Sequence, residues 1–333
     1  MENTSQTQPA LHRVPELWFE DDNLILRAEN TLYRVSKGVL AARSSVFRDM
    51  LSFPQARARS CPMEGDGTGG RAEEDDEDVI EGCPVVRLHD APHDVTCFLR
   101  AIFDSSFFEP PPAKTDLAAI TGILRLSHKY DVQYLRRRAL LHLDTGYPTS
   151  LAVYEVSGSE TFSSDGLDDS LLTIQCASEV NATWLLPTAF YFLCYSDLPL
   201  ILASPRWPLL SPVDQATALS AYTRQRLACP PVLPFLRIPF TEGCTSLDKC
   251  SAYRAAYLLD VQSWNISDPL GSYKEWSPFE GKICSYCLAE SEKYHRTARR
   301  GLWEELPGLY GLPGWEVLER MKAEALAVEV IMA

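Results

Sequence analysis

The sequence is short of positive charge. Its 333 residues hold 31 Lys and Arg against 45 Asp and Glu, a formal net charge of −14. A surface that gathers nucleic-acid phosphates needs the opposite balance, which argues against direct DNA or RNA binding. Long apolar runs are also lacking, and none approaches the ~20 residues of a membrane-spanning helix. The first residues, Met-Glu-Asn-Thr-Ser-Gln-Thr-Gln, show no basic stretch followed by an apolar one, so no secretory signal is read there. The expectation is an intracellular protein, in cytoplasm or nucleus, without membrane contact. Reaction signatures are missing too. There is no Gly-x-Ser-x-Gly elbow, His-Glu-x-x-His pair, Walker loop or dinucleotide fingerprint. Gly65-Asp-Gly-Thr-Gly-Gly70 imitates a phosphate loop, but neighbouring carboxylates would repel phosphate and no strand leads into it.

What is present suits about two domains, with 46% hydrophobic residues to build their cores. The acidic charge is uneven. Nine acids and one base fall between Ser60 and Pro84, a local −8 that leaves −6 for the rest. Residues 54–84 are Gly-rich, acidic and without apolar periodicity, so they read as a disordered surface insert. Residues 1–15 read as a disordered leader to the first domain. Ten cysteines in an intracellular chain point to thiols or metal ligands rather than disulfides. In that setting Asn181-Ala-Thr183 and Asn265-Ile-Ser267 are not glycosylated.

The first half is rich in local signals. Asn23-Leu-Ile-Leu-Arg27 and Thr31-Leu-Tyr-Arg-Val35 read as strands, with Asn30 as the turn between them. Ser36 to Met50 reads as two tandem helices, capped by Ser36 and Ser44. Val39 and Leu40 give the first its apolar side; Val46, Phe47 and Met50 give the second its own. A strand at Val85–Asp90 and a helix from Asp94 to Phe108, ended by Pro110–Pro112, come next. Leu117 to Arg136 then supplies two helices about the turn Ser127-His-Lys-Tyr130, with Leu135 in the second. This order, and above all the Val-Leu-Ala-Ala-Arg-Ser wording at 39–44, resembles the BTB/POZ domain over residues 17–143. Leu17-Trp-Phe-Glu-Asp-Asp22 is most similar to the fungal, basidiomycete-type group of that family. The resemblance implies an α+β fold, a small sheet flanked by helices, over 16–145. It also implies a homodimer, with Leu17, Trp18 and Phe19 as partner-facing residues. A subset of the family bridges cullin ubiquitin ligases to substrates through an apolar-x-Glu triplet, and Val79-Ile-Glu81 stands in that place.

Residues 146–333 read as a mostly helical domain with Pro-rich joints. Helices are expected at Leu171–Val180, Trp184–Tyr195, Pro212–Leu227 (ended by Cys229-Pro-Pro), Ser246–Gln262, Lys282–Glu305 and Glu316–Val330. Trp184, Trp303 and Trp315 read as core anchors. Cys284-x-x-Cys287 has the spacing that lets two sulfurs reach one ion, and a helix start favours the thiolate. Cys250 at another helix start and Cys244 in the loop before it complete four ligands for a structural zinc. Four unrelated buried thiols are the plain alternative. His295 is a further candidate ligand. A thioredoxin-like dithiol would need a βαβ setting that the helical surroundings do not offer. Fungal BTB proteins of this kind place such cysteines before a stretch similar to Arg299-Arg-Gly-Leu-Trp303.

Three functions compete on these residues. One is a non-enzymatic interaction module that self-associates and binds protein partners, including a cullin. Another is a transcriptional or chromatin regulator that recruits through the BTB-like half; the acidic charge disfavours direct DNA contact. The third is an enzyme with Cys284 or Cys287 as nucleophile, which would need a partnered His, and His295 is the nearest in sequence.

Overall fold

The computed structural model describes residues 10–52, 79–157, 166–238, 240, 242–262, 269–270 and 276–327. The chain divides into two compact units, and the boundary falls between His142 and Leu143. The first unit is α+β and the second is helical.

Unit 1 is built on a five-stranded mixed sheet. Its strands are β1 (His12–Trp18), β2 (Leu24–Ala28), β3 (Thr31–Val35), β4 (Val79–Ile80) and β5 (Cys83–Leu88), in the spatial order β1-β3-β2-β5-β4. β2 lies centrally, antiparallel to β3 and parallel to β5. Leu24, Ile25, Leu26 and Ala28 are all buried, as a strand covered on both faces requires. The β2–β3 hairpin turns on Glu29, whose φ is 49°, beside the expected Asn30.

Two expectations of disorder are corrected here. The leader expected over 1–15 gives way to β1 from His12 onward; residues 1–9 lie outside the described residues. Likewise 53–78 lie outside them, but 79–84, assigned to the insert, form β4, a tight turn and the start of β5. Glu81 and Gly82 take left-handed conformations in that turn, with φ 52° and 76°. Such a pair matches the twist of a two-residue hairpin. The Glu81 carboxylate accepts from Arg13 at 2.6 Å and Arg34 at 3.4 Å, tying the turn to β1 and β3.

Five helices follow or interrupt the sheet: α1 (Lys37–Arg43), α2 (Ser45–Ser52), α3 (Pro92–Phe103), α4 (Leu117–Lys129) and α5 (Gln133–Gly146). Both serine caps form. Ser36 Oγ accepts from the Val39 N–H, and Ser44 Oγ from the Phe47 N–H at 2.9 Å. Ser44 Oγ also donates to the Tyr130 carbonyl, and Ser45 Oγ to the Asp131 carboxylate. The two short helices are therefore fastened to the α4–α5 turn. That turn is closed by Val132 N–H on the Ser127 carbonyl at 2.8 Å, with Asp131 at φ 55°. Tyr130 stacks on Phe47 at 4.5 Å and meets Phe98 at 5.8 Å, and its hydroxyl donates to Asp90. Burial, then that bond, raises the phenol's pKa. The helix expected to reach Phe108 stops at Phe103. Asp104 Oδ1 accepts from both the Ser106 N–H and hydroxyl, and this local bonding competes with another helical turn.

Unit 2 contains α6 (Leu151–Ser157), α7 (Gly166–Glu179), α8 (Leu186–Leu193), α9 (Leu198–Ala203), α10 (Pro212–Val232), α11 (Leu247–Gln262), α12 (Ser285–Leu309) and α13 (Trp315–Leu326). Trp184 and Trp303 are buried as expected; Trp315 is partly buried and stacks on Trp303 at 5.2 Å. A buried polar link fixes the middle: Gln225 donates to the Tyr191 carbonyl and accepts from the Tyr310 hydroxyl at 2.9 Å. Helix α10 does not end at Cys229-Pro-Pro but runs to Val232. The two prolines fall in its last turn, where their missing N–H groups leave the carbonyls of Arg226 and Leu227 without helical donors.

Gly122 sets the closest approach in unit 1. A Cβ there would lie 2.7 Å from Asp94 Oδ1 and 3.1 Å from Asp94 Cα, so α3 and α4 touch nearly backbone to backbone. Gly122→Ala should force these helices apart and cost about 1–3 kcal/mol, as overpacking does. Denaturant unfolding of the variant checks this; unchanged stability would mean α3 shifts freely.

Candidate metal centre

The four cysteines singled out by spacing come together. One ligand atom from each of Cys244, Cys250, Cys284 and Cys287 lies within 4.8 Å of all the others. Cys250 sits in the first turn of α11, Cys284 caps α12, Cys287 lies in that helix's first turn, and Cys244 comes from the loop before α11. Sγ of Cys244 stands 3.4 Å from that of Cys287 and 3.9 Å from that of Cys284. A disulfide needs about 2.05 Å, so these are thiols. Tetrahedral zinc with Zn–S of about 2.3 Å places its sulfurs about 3.8 Å apart, the same range. Four cysteines so arranged could hold one metal ion.

Backbone donors surround the sulfurs. The Cys284 N–H donates to Cys250 Sγ at 3.2 Å, and the Cys287 N–H to Cys284 Sγ at 3.5 Å. Burial opposes ionisation of Cys284, but the Cys287 N–H and the Thr245 N–H outweigh it and bring this thiol down to about 6. Burial pushes Cys250 up; burial and the neighbouring sulfurs push Cys287 up. One thiolate thus forms readily. Further ones must form against burial and the charge already present. A soft dication removes both penalties together.

The scaffold is apolar. Phe235, Leu236, Phe240, Phe279 and Ile283 form a buried cluster with Cys250 and Cys287. Arg254, one turn beyond Cys250, is buried and donates to the carbonyls of Phe235 at 3.0 Å and Ile238 at 2.7 Å. Its guanidinium lies 4.4 Å from the Phe240 ring. It ties residues 235–238 to α11, a role the sequence reading missed because a lone Arg in a helix reads as exposed. Gly243 was missed as well. Its φ is +88°, and an added Cβ would lie 2.6 Å from the Tyr286 ring.

The other candidate residues are placed apart from the thiols. His295 packs on Phe235 and Trp276, with ring centroids at 5.6 and 6.0 Å, and is not in the group of four. Leu17 is only 1% exposed, in the core beneath β1. Trp18 packs against Ile25, Leu32 and Cys83 with the Arg13 guanidinium 4.3 Å from its ring. Phe19 is 38% exposed and leans on Phe103 at 5.6 Å. Val79 is 51% exposed on β4, and Glu81 is held by its two arginines. No described helix is long and apolar enough to cross a membrane. Protein-family models, curated proteins and solved structures contain no match to this chain.

Gly243→Ala combines a disfavoured φ with a ring clash. It should destabilise unit 2 by about 1–3 kcal/mol, typical of a strained backbone position. Thermal melts of the variant with and without chelator test this. A variant that melts like the parent in both conditions would remove the glycine from any role in shaping the centre.

Proposed function

We propose that the chain is a non-catalytic protein-interaction module in which unit 1 self-associates as a BTB-like domain and unit 2 is stapled by one structural zinc. The observation that carries the zinc is the convergence of four thiols from one loop and two helix starts. Four sulfurs complete a tetrahedral shell and leave no open position for substrate, which suits a structural ion over a catalytic one. A multi-iron cluster would hold its cysteines farther apart than a single ion does. The interaction reading is supported by the order of unit 1. Hairpin, two serine-capped helices, strand and helix pair follow the order that the sequence resemblance implies.

Within this reading the exposed Phe19 is the residue that meets a second copy, since Leu17 and Trp18 are engaged in their own sheet. Val79 offers the apolar contact for a cullin, and Glu81 positions its turn.

Elemental analysis of protein purified without chelator should find close to one zinc per chain. Less than about a tenth of an equivalent, with all four thiols titratable in the native state, defeats the structural site. Since every ligand must shed a proton, zinc should leave as pH falls; zinc occupancy that does not change with pH through the acid range would contradict thiolate ligation.

Sedimentation equilibrium of the full chain should give a dimer at micromolar concentration. Phe19→Asp should shift it to monomer without changing the circular dichroism. A parent chain that sediments as a monomer throughout that range overturns the self-association.

A further inference from the structure

One face of α12 carries chemistry that the zinc reading does not use. Glu292, His295, Arg296, Arg299 and Arg300 recur at helical spacing and line a cavity of about 500 Å³, walled also by α6 and Trp276. Three guanidinium groups meet two carboxylates there, Glu155 and Glu292, in a chain whose net charge is −14. Arg299 is only 5% exposed. Its Nε donates to the Leu270 carbonyl and its Nη1 to Glu155, both at 2.7 Å. Its Nη2 is buried and has no partner among the described residues. A buried guanidinium nitrogen without an acceptor is costly, so a ligand acceptor is the natural complement.

We propose that this cavity binds the phosphate group of a small phosphorylated molecule, with Arg299 Nη2 as the inner donor and Arg296 and Arg300 closing from the mouth. The number of cationic groups favours phosphate. Arg299 keeps an unmatched Nη2, and Arg296 and Arg300 add two further guanidinium groups to the lining, more donors and charge than a singly charged carboxylate can use. Single donors from three guanidinium groups suit a tetrahedral anion with three terminal oxygens. Arg296 and Arg300 are exposed, and neither has an ion-pair partner among the described residues. The volume exceeds what bare phosphate fills and lies within the range of small-ligand sites. Trp276 supplies a flat wall for the body of the molecule. The phosphate of a phosphorylated side chain shares this chemistry, but a recess of about 500 Å³ with Trp276 in its wall suits the small molecule.

Isothermal titration of the full chain with phenyl phosphate tests the assignment. Saturable binding is expected, at least about tenfold tighter than benzoate, because charge-assisted bonds from several donors distinguish the two. Arg299 also holds Leu270 and Glu155, so its variants can lose the fold. The exposed pair carries the test instead: Arg296→Ala with Arg300→Ala should weaken phenyl phosphate at least about tenfold while the melting temperature stays unchanged. Absence of binding at millimolar phenyl phosphate overturns the proposal. So does equal affinity for benzoate, or an unaffected double variant. A phosphoserine peptide binding more tightly than phenyl phosphate would overturn the small-molecule assignment in favour of a modified protein.

Discussion

Four sulfurs crowded within 4.8 Å of one another are the constraint on which unit 2 depends. Protonated, they are small apolar groups in an apolar cluster. Ionised together without a cation, they would repel one another in a place where burial already penalises charge. The chain has set this up rather than avoided it. Cys284 is drawn toward the thiolate by backbone N–H groups, and Cys250 receives an N–H as well. Those donors do not neutralise four charges. They fix where the sulfurs point, so an ion would meet a shaped site. Arg254 and Gly243 both serve this arrangement, since one ties residues 235–238 to α11 and the other lets the backbone before α11 come close to the Tyr286 ring.

Unit 1 uses polar fastening of another kind. Its short helices α1 and α2 have seven and eight residues, too few to be stable alone. They persist because their caps are shared with the α4–α5 turn, where Ser44 and Ser45 reach Tyr130 and Asp131. Tyr130 is the hub. Its ring stacks on Phe47, and its hydroxyl and the adjacent Lys129 both meet Asp90. A residue in a helix-ending turn thereby links the helix pair to the strand-to-helix connection after β5.

Much of this was legible in the sequence, and the reasons are local. Serine caps, the β2–β3 hairpin and the Cys-x-x-Cys helix start each rest on residues a few positions apart. What stayed hidden depends on partners far along the chain. In β1 the buried residues Val14 and Leu17 lie three apart, because a register shift interrupts the pairing with β3, so no strand alternation shows. β4 has two residues and exists through its pairing with β5. The early end of α3 turns on one carboxylate, Asp104, that sequence reading weighs less than the prolines after it. That Cys244 and Cys250 join Cys284 and Cys287 was readable as a pairing of two motifs. That Arg299 would be buried with one nitrogen unmatched was not, since it depends on where Glu155 and Leu270 come to lie.

The sulfurs also act over a distance in sequence. Cys250 and Cys284 are 34 residues apart. An ion held between them closes that span into a loop, and it does so in the unfolded chain as long as the ligands keep their grip. By chain-entropy reasoning, a closure of this length removes about 4 kcal/mol of conformational freedom from the unfolded state. This contribution depends only logarithmically on the loop, and doubling its length changes it by about 0.6 kcal/mol. The entropic share of the cross-link is therefore nearly indifferent to the length of the connector between α11 and α12. What ties that connector to its residues is packing, since Leu270, Phe279 and Ile283 within it are buried.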